Sequence, residues 1–362
     1  MQKHIVCVID SLSGGGAEKM AIVLAQSLQA LGHKVTFLSL VKKHDYDLPV
    51  DIDVEFLYID NRRKIDAFWR KRYSIKLLER WFDGLPIPAD LVLSHLDKAN
   101  NLLTQSKINN VFYVVHNSIK GELERQTKLG FFSYRYLKSS KQRLSGENLV
   151  AVSDGIKSEI ESLDWLVPKS ITRIYNPFNF QEIKRFAQEK QMGIPKHPYI
   201  IHVGRVAKQK RHDVLFSALA KMKQKISVVV LCSNIKKVRT IARKYQVDDQ
   251  VITPGFVQNP YAWIKHAECL VLTSDYEGFG NVLVEALALS VAVVSTNCPH
   301  GPSEILTGKL SRCLWPVGDS GALANQLDGI LEHKEGVIPK PEILDKVGAL
   351  DIAKQYLKLI KD

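Results

Sequence analysis

The sequence has no apolar run long enough to cross a bilayer. Its opening, MQKHIVCVID, has too short an apolar core for a secretory leader and reads as a strand. The five cysteines, at 7, 232, 269, 298 and 313, never fall at CxxC spacing, so neither a zinc knuckle nor a redox pair is indicated. Cys7, Cys232 and Cys269 lie in apolar strand-like runs and read as small buried hydrophobes of a reducing compartment. No internal repeat or low-complexity segment is present, nor the GxGxxG order of a dinucleotide fingerprint. No RNP, KH or zinc-finger pattern points to nucleic acid. Acidic residues are in short supply, 38 against 50 Lys and Arg, a net charge of +12. That surplus favours anionic partners, such as a nucleotide, a phosphorylated lipid, an acidic membrane or a polynucleotide, without choosing among them. The expectation is a cytoplasmic protein with, at most, contact at the inner face of a membrane.

What is present reads as two α/β domains. A chain of 362 residues exceeds one core of usual size and fits two domains of about 150–180 residues. The organising stretch is LVLTSDYEGFGNVLVEALALS, residues 270–290. A short apolar run ends in Thr273, Ser274 and Asp275, as a parallel strand does at its carboxyl edge. Gly278 and Gly280 bracket Phe279, Asn281 can open a helix, and Val282 to Leu289 give it a wide apolar face. The loop holds Glu277, and Glu285 falls about two turns into the helix, off the main apolar stripe. A helix start aimed at the end of a parallel strand is an anion site.

The amino-terminal half opens as strand, glycine-rich loop, helix and strand. His4 to Asp10 is followed by Ser11–Gly16, then by a helical pattern from Ala17 to Leu31, then by Val35 to Leu40. Further strands are expected near 54–59, 90–94, 111–115 and 149–153. Two of them run into His95 and into His116-Asn117, a common polar edge where His116 can orient a ligand or donate a proton. Residues 61–82 interleave eight Lys or Arg with apolar and aromatic residues, as a basic amphipathic helix on an anionic membrane does. A packed helix with a solvated face accounts for them equally. Residues 120–145 hold a second basic and aromatic group, including Arg125, Lys128, Phe131, Phe132, Arg135 and Lys138, which can add to an acceptor or membrane surface. The second half restarts near Pro198. Its first strand runs into Gly204-Arg205, and Lys210 follows five residues after Arg205. Two fixed cations in a strand-to-helix loop suit a diphosphate.

Glu277-Gly278-Phe279-Gly280 followed by Glu285 resembles the E-x7-E motif of retaining glycosyltransferases of the large family 4 type, which have the GT-B fold. SLSGGGAEK at 11–19 resembles their first loop, and GRVAKQKRHDVL at 204–215 resembles their arginine and lysine signature. Gly301-Pro302-Ser303-Glu304 resembles a segment of several bacterial polysaccharide and lipopolysaccharide transferases. The resemblance covers most of the chain. It implies an α/β GT-B architecture, two Rossmann-like domains with parallel sheets facing across a cleft. The expected acceptor domain is 1–176, followed by a linker at 177–197. A nucleotide-sugar domain at 198–342 is expected next, and a final helix at 343–362 returning to the first domain.

By that likeness Arg205 and Lys210 neutralise the donor diphosphate, with Gly15, Gly16, Gly280 and Asn281 beside it. Glu277 holds sugar hydroxyls and Glu285 the ribose, with Phe256 and Val257 against the nucleobase. Gly14, Gly15, His116 and Asn117 face the acceptor. Arg211 stands where such enzymes often have glycine or asparagine. The donor is a nucleotide-diphosphate sugar, UDP-linked by family habit, and the acceptor a cell-surface glycan or lipid-linked molecule. Peripheral contact with an anionic membrane is among the expected interactions, and nucleic acid is not. No cofactor is implied. No metal is either, because no DxD-like pair sits at a strand end in a suitable context. Two other classes fit parts of the sequence. A GT-B epimerase or phosphorylase would transform its sugar substrate without a separate acceptor, and a non-catalytic basic protein would bind polyanions in a salt-dependent way.

Overall fold

The computed structural model describes residues 1–43, 52–58, 65, 68–332 and 341–360. The chain forms two compact units, Met1–Phe178 with Val347–Asp362, and Asn179–Lys346. It leaves the first unit at Phe178 and re-enters it at Val347. There the Phe178 N–H donates to the Val347 carbonyl at 2.9 Å, and the Ala349 N–H donates to the Phe178 carbonyl at 3.0 Å.

The first unit is built on a seven-stranded parallel sheet. Its strands are β1 (His4–Ile9), β2 (Lys34–Val41), β3 (Asp53–Tyr58), β4 (Leu91–His95), β5 (Val111–Val115), β6 (Asn148–Ala151) and β7 (Ser170–Arg173), in the order β3-β2-β1-β4-β5-β6-β7. Every residue of β1 is buried, as expected for a strand covered on both faces. Even His4 is satisfied there, its ring nitrogens meeting Thr36 Oγ1 at 3.0 Å and the Ile87 carbonyl at 2.8 Å. The helix Gly16–Ala30 follows the glycine loop, and the terminal helix Ala349–Leu357 packs on it.

The second unit repeats the plan with six parallel strands. These are β8 (Tyr199–Val203), β9 (Ser227–Leu231), β10 (Val251–Gly255), β11 (Cys269–Leu272), β12 (Ala292–Thr296) and β13 (Leu314–Trp315), in the order β10-β9-β8-β11-β12-β13. Residues 177–197, expected as a linker, include the helix Phe180–Ala187, capped by Asn179. This helix is part of the second unit. The Phe186 ring stacks on Tyr261, and Asn259 donates to the Phe186 carbonyl at 2.9 Å.

Both sheets grow outward in two directions from a central pair, β1 with β4 and β8 with β11. Between such a pair the connections part to opposite sides and leave a crevice at the carboxyl ends of the strands. The loops at 10–16, 204–211 and 273–280 leave from three of these strands, β1, β8 and β11. Three helices in the first unit escaped the sequence reading: Asp97–Leu103, Ile119–Thr127 and Phe131–Gln142. The segment 61–82 is described from the helix Phe68–Asp83 onward, apart from Ile65, and residues 61–64 and 66–67 lie outside the described residues.

Candidate functional site

In the second unit the loops after β8 and β11 are tied together. After Gly204 the chain makes a tight turn at Lys208–Lys210, and Arg211 takes a left-handed backbone (φ +46°) before the helix His212–Lys221. From the other side come Thr273 to Gly280, leading into the helix Asn281–Ala288. The Thr273 hydroxyl donates to the Lys210 carbonyl at 2.6 Å, and the Asp275 N–H donates to the Gln209 carbonyl at 2.8 Å. The Gln209 amide donates to the Tyr276 carbonyl at 2.7 Å. Arg211 Nη1 donates to Asp275 Oδ1 at 2.7 Å, and its Nη2 to Asp213 Oδ2 at 3.0 Å. The Asp213 and Asp275 carboxylates hold the Arg211 guanidinium above its ordinary value. A left-handed backbone costs a non-glycine residue about 1–2 kcal/mol, and these charge-assisted bonds offset it.

The product of this stitching is an ion pair. Lys210 Nζ lies 2.6 Å from Glu277 Oε1, and the Ser274 hydroxyl donates to the same oxygen. Ser274 is itself fixed by Thr296 of β12, whose hydroxyl donates to the Ser274 carbonyl at 2.8 Å. The Lys210 stem lies against the end of β8, its Cε 3.6 Å from where a Cβ on Gly204 would stand. Arg205 is exposed and makes no side-chain hydrogen bond or ion pair among the described residues. The loop is also held from behind. Gly301, at φ +84°, sits so close that a Cβ there would collide with the Phe279 backbone.

Glu285 departs from expectation. It was placed off the apolar stripe, yet it is 3% exposed. The helix Asn281–Ala288 is covered by the helices Phe180–Ala187 and Tyr261–Lys265 as well as by the sheet, so it has no solvent face there. The Tyr261 hydroxyl is 3.5 Å from Glu285 Oε1, at the limit of a hydrogen bond. Phe256, which is exposed, and Val257 follow β10, two strands from β8 on the same edge.

Sequence reasoning missed a histidine pair under this loop. His202 of β8 and His212 are buried, with ring centroids 4.5 Å apart. Among the described residues none of their four ring nitrogens has a partner. Burial pushes His212 down to about 4 and His202 well below its ordinary value. It also missed Asp275 as the Arg211 anchor; its place two residues before Glu277 was the available signal.

The remaining candidates lie in the first unit. Gly14 and Gly15 follow β1, and Gly16 opens the helix. Glu18 is buried, and its carboxylate fills the space that a Gly15 side chain would take. His116 follows β5, and its Nε2 is 2.9 Å from Nδ1 of His95 at the end of β4. The sequence alone gave His95 less weight; the structure makes it the hydrogen-bond partner. Burial pushes His116 down to about 4 and His95 well below the usual range, so both rings are neutral. Asn117 donates to Glu122 Oε1 at 3.0 Å. Asp10, at the end of β1, accepts from the Ala99 and Lys98 N–H groups at 2.8 and 3.3 Å. Burial pushes its carboxyl up to about 7.

Residues 14–182 match the family described as Glycosyltransferase Family 4, and residues 184–349 match Glycosyl transferases group 1. A Campylobacter jejuni protein is 25% identical over 372 residues, covering 96% of this chain and 98% of its own. It is named N-acetylgalactosamine-N,N'-diacetylbacillosaminyl-diphospho-undecaprenol 4-alpha-N-acetylgalactosaminyltransferase. Among solved structures, sucrose-phosphate synthase from Thermosynechococcus elongatus superposes with a TM-score of 0.80 at 16% identity, covering 99% of this chain and 98% of that one. Anabaena HepE in complex with UDP and glucose gives 0.73 at 18% identity, covering 99% of each chain. At these identities the structures show a shared fold.

Proposed function

We propose, from the matches of residues 14–182 and 184–349 to two glycosyltransferase family models, that the chain moves a hexose or N-acetylhexosamine from a UDP-linked donor to a glycan or lipid-linked acceptor, retaining anomeric configuration. The observation that carries this is the Lys210–Glu277 pair, a cation and a carboxylate brought together at the β8/β11 crevice. In sugar transfer the glycosidic bond to the diphosphate breaks, and negative charge grows on the leaving oxygen. Lys210 and Arg205 meet that charge, together with the helix start at Gly280 and Asn281. Because Lys210 is already paired, an incoming diphosphate shares the ammonium with Glu277. Glu277 is thereby placed beside the leaving group, where its second oxygen takes sugar hydroxyls. Glu285 takes the ribose, and Phe256 with Val257 the base. On the acceptor side His116, held by His95, orients the sugar or the incoming hydroxyl, with Gly14, Gly15 and Asn117 nearby in the first unit. The Campylobacter relative's name supports a lipid-carried acceptor and an N-acetylated sugar, and the UDP in the Anabaena structure supports the choice of nucleotide.

The test is a panel of nucleotide sugars scored for protection from thermal unfolding, followed by product analysis with the protecting donor. A ligand of the folded state raises its stability in proportion to the logarithm of its concentration over Kd. UDP-sugars are expected to protect the wild type, and Arg205→Ala and Lys210→Ala to lose that protection. Equal protection of both variants would remove these cations from the site. Conversion of the sugar without an acceptor would favour an epimerase.

A further inference from the structure

The helix Phe131–Gln142 buries one side chain, and that side chain is a lysine. Lys141 Nζ lies 2.6 Å from Asp97 Oδ1 and 2.9 Å from Glu122 Oε2. Burial works against its charge, and the Asp97 and Glu122 carboxylates more than reverse that, so the ammonium stays protonated. A lysine is almost never buried unless it is paired. Such a pair adds little stability over apolar groups of the same volume; what it can fix is one arrangement of the elements it joins.

The two carboxylates belong to two loops at the carboxyl edge of the first sheet. Asp97 opens the helix Asp97–Leu103, two residues after His95 ends β4. The next two N–H groups, of Lys98 and Ala99, are those that hold Asp10 at the end of β1. Glu122 stands in the first turn of the helix Ile119–Thr127, and its other oxygen accepts from Asn117 at 3.0 Å. Ser118 caps that helix, and its hydroxyl donates to Glu159 Oε2 at 2.6 Å. One ammonium therefore ties the loop after β4 to the loop after β5 and, through Asp10, to the loop after β1. The tie sits where the backbone is strained. Leu96, between His95 and Asp97, has φ +72° and ψ 167°, a region essentially reserved for glycine and held only where the surroundings over-determine it. Asn100 supplies one restraint, its N–H donating to the Leu96 carbonyl at 3.1 Å. The Asp97–Lys141 pair supplies another.

The loops so held carry the histidine pair. His95 Nδ1 and His116 Nε2 are 2.9 Å apart, while the outer nitrogens, His95 Nε2 and His116 Nδ1, are buried without a partner among the described residues. Two neutral rings that share one proton leave one outer nitrogen protonated and the other bare. Such a pair meets a group that both accepts and donates, as a sugar hydroxyl does. We propose that Lys141 is a positioning residue for the acceptor: its ion pairs keep the loops after β4 and β5 in register, so that His95 and His116 stay joined and offer one N–H and one bare nitrogen to acceptor hydroxyls. Lys141 acts through Asp97, Glu122 and Asn117. The inference rests on the reading of the first unit as the acceptor side.

The experiment is nitrogen-15 NMR of the histidine rings in the full chain, with neither donor nor acceptor present. His95→Gln and His116→Gln assign the signals. Lys141→Met alone strands two carboxylates and can unfold the unit, so the deciding variant is the uncharged triple Asp97→Asn, Glu122→Gln and Lys141→Met. The triple variant is expected to melt within a few degrees of the wild type and to keep UDP-sugar protection. Its His95 and His116 signals are expected to become mixtures of tautomers, with the His116 titration moving up from about 4 toward 6.5. With the acceptor identified by the product analysis above, kcat/KM for that acceptor is expected to fall by about tenfold to a hundredfold while the KM for the UDP-sugar is unchanged. Wild-type histidine signals and titration in the folded triple variant would overturn the proposal. So would a triple variant that melts as low as Lys141→Met, since the pair would then serve stability alone, or one that loses donor protection along with transfer. Failure of UDP-sugars to protect the wild type would count against the donor reading and leave the histidine result standing on its own.

Discussion

Gly301→Ala is the sharpest perturbation this molecule offers, because it strikes the Glu277 loop without touching a charged group. Gly301 has φ +84° and ψ −64°, and a Cβ there would collide with the backbone of Phe279. Gly308, seven residues on, has φ +57° with nothing within 4 Å of its would-be Cβ. Both substitutions carry the backbone cost of a left-handed residue, about 1–2 kcal/mol. Only Gly301→Ala adds overpacking against main chain, about 1–3 kcal/mol. The expected losses are therefore about 2–5 kcal/mol at 301 and about 1–2 kcal/mol at 308. At about 2–4 °C per kcal/mol for a unit of this size, the melting temperature falls by about 4–20 °C and 2–8 °C respectively. Calorimetry measures the difference, and repeating it with a UDP-sugar reads the site. Displacing Phe279 moves Gly280 and Glu277, so Gly301→Ala is expected to lose donor protection and Gly308→Ala to keep it. Equal destabilisation by the two, or full donor protection in Gly301→Ala, would refute the claim that the segment after β12 sets the loop.

Three further outcomes are expected. Lys210→Met strands the Glu277 carboxylate, whose side chain is 10% exposed, and lowers stability by about 3 kcal/mol; adding Glu277→Gln recovers most of the loss, and urea titration of the double variant shows no recovery if the pair is not coupled. His212 is held neutral, down at about 4 from 6.5, so the folded state binds fewer protons than the unfolded one in that window. Its contribution is present above pH 6.5 and is lost as the pH falls toward 4, about 3 kcal/mol in all; His212→Asn flattens the acid limb of stability against pH, and an unchanged limb would count against the burial argument. On the proposal that Lys210 and Arg205 answer the leaving-group charge, EDTA is expected to leave sugar transfer unchanged, and a chelator-sensitive rate restored by Mg²⁺ or Mn²⁺ would assign that charge to a metal instead.

The local features were legible because they are written in short stretches. Continuous apolar runs such as HIVCVI mark strands buried on both faces, and glycines at their ends mark where loops leave. Arg205, Lys210, Glu277 and Gly280 could therefore be singled out from sequence. Pairing order could not. Lys210 and Glu277 are 67 residues apart and meet only because β8 and β11 are neighbours at the point where the sheet order reverses. His95 and His116 meet for the same reason, across β4 and β5. Glu285 falls off the apolar stripe by its helical position, and three packed elements bury it. The aromatic run at 131–136 stands out in the sequence as a basic and aromatic group, but which of its rings stay uncovered is decided by the packing. A sequence records period and turn chemistry, which act between near neighbours. Which distant side chains share a crevice is settled when two sheets choose their strand order, since that choice depends on how whole faces pack.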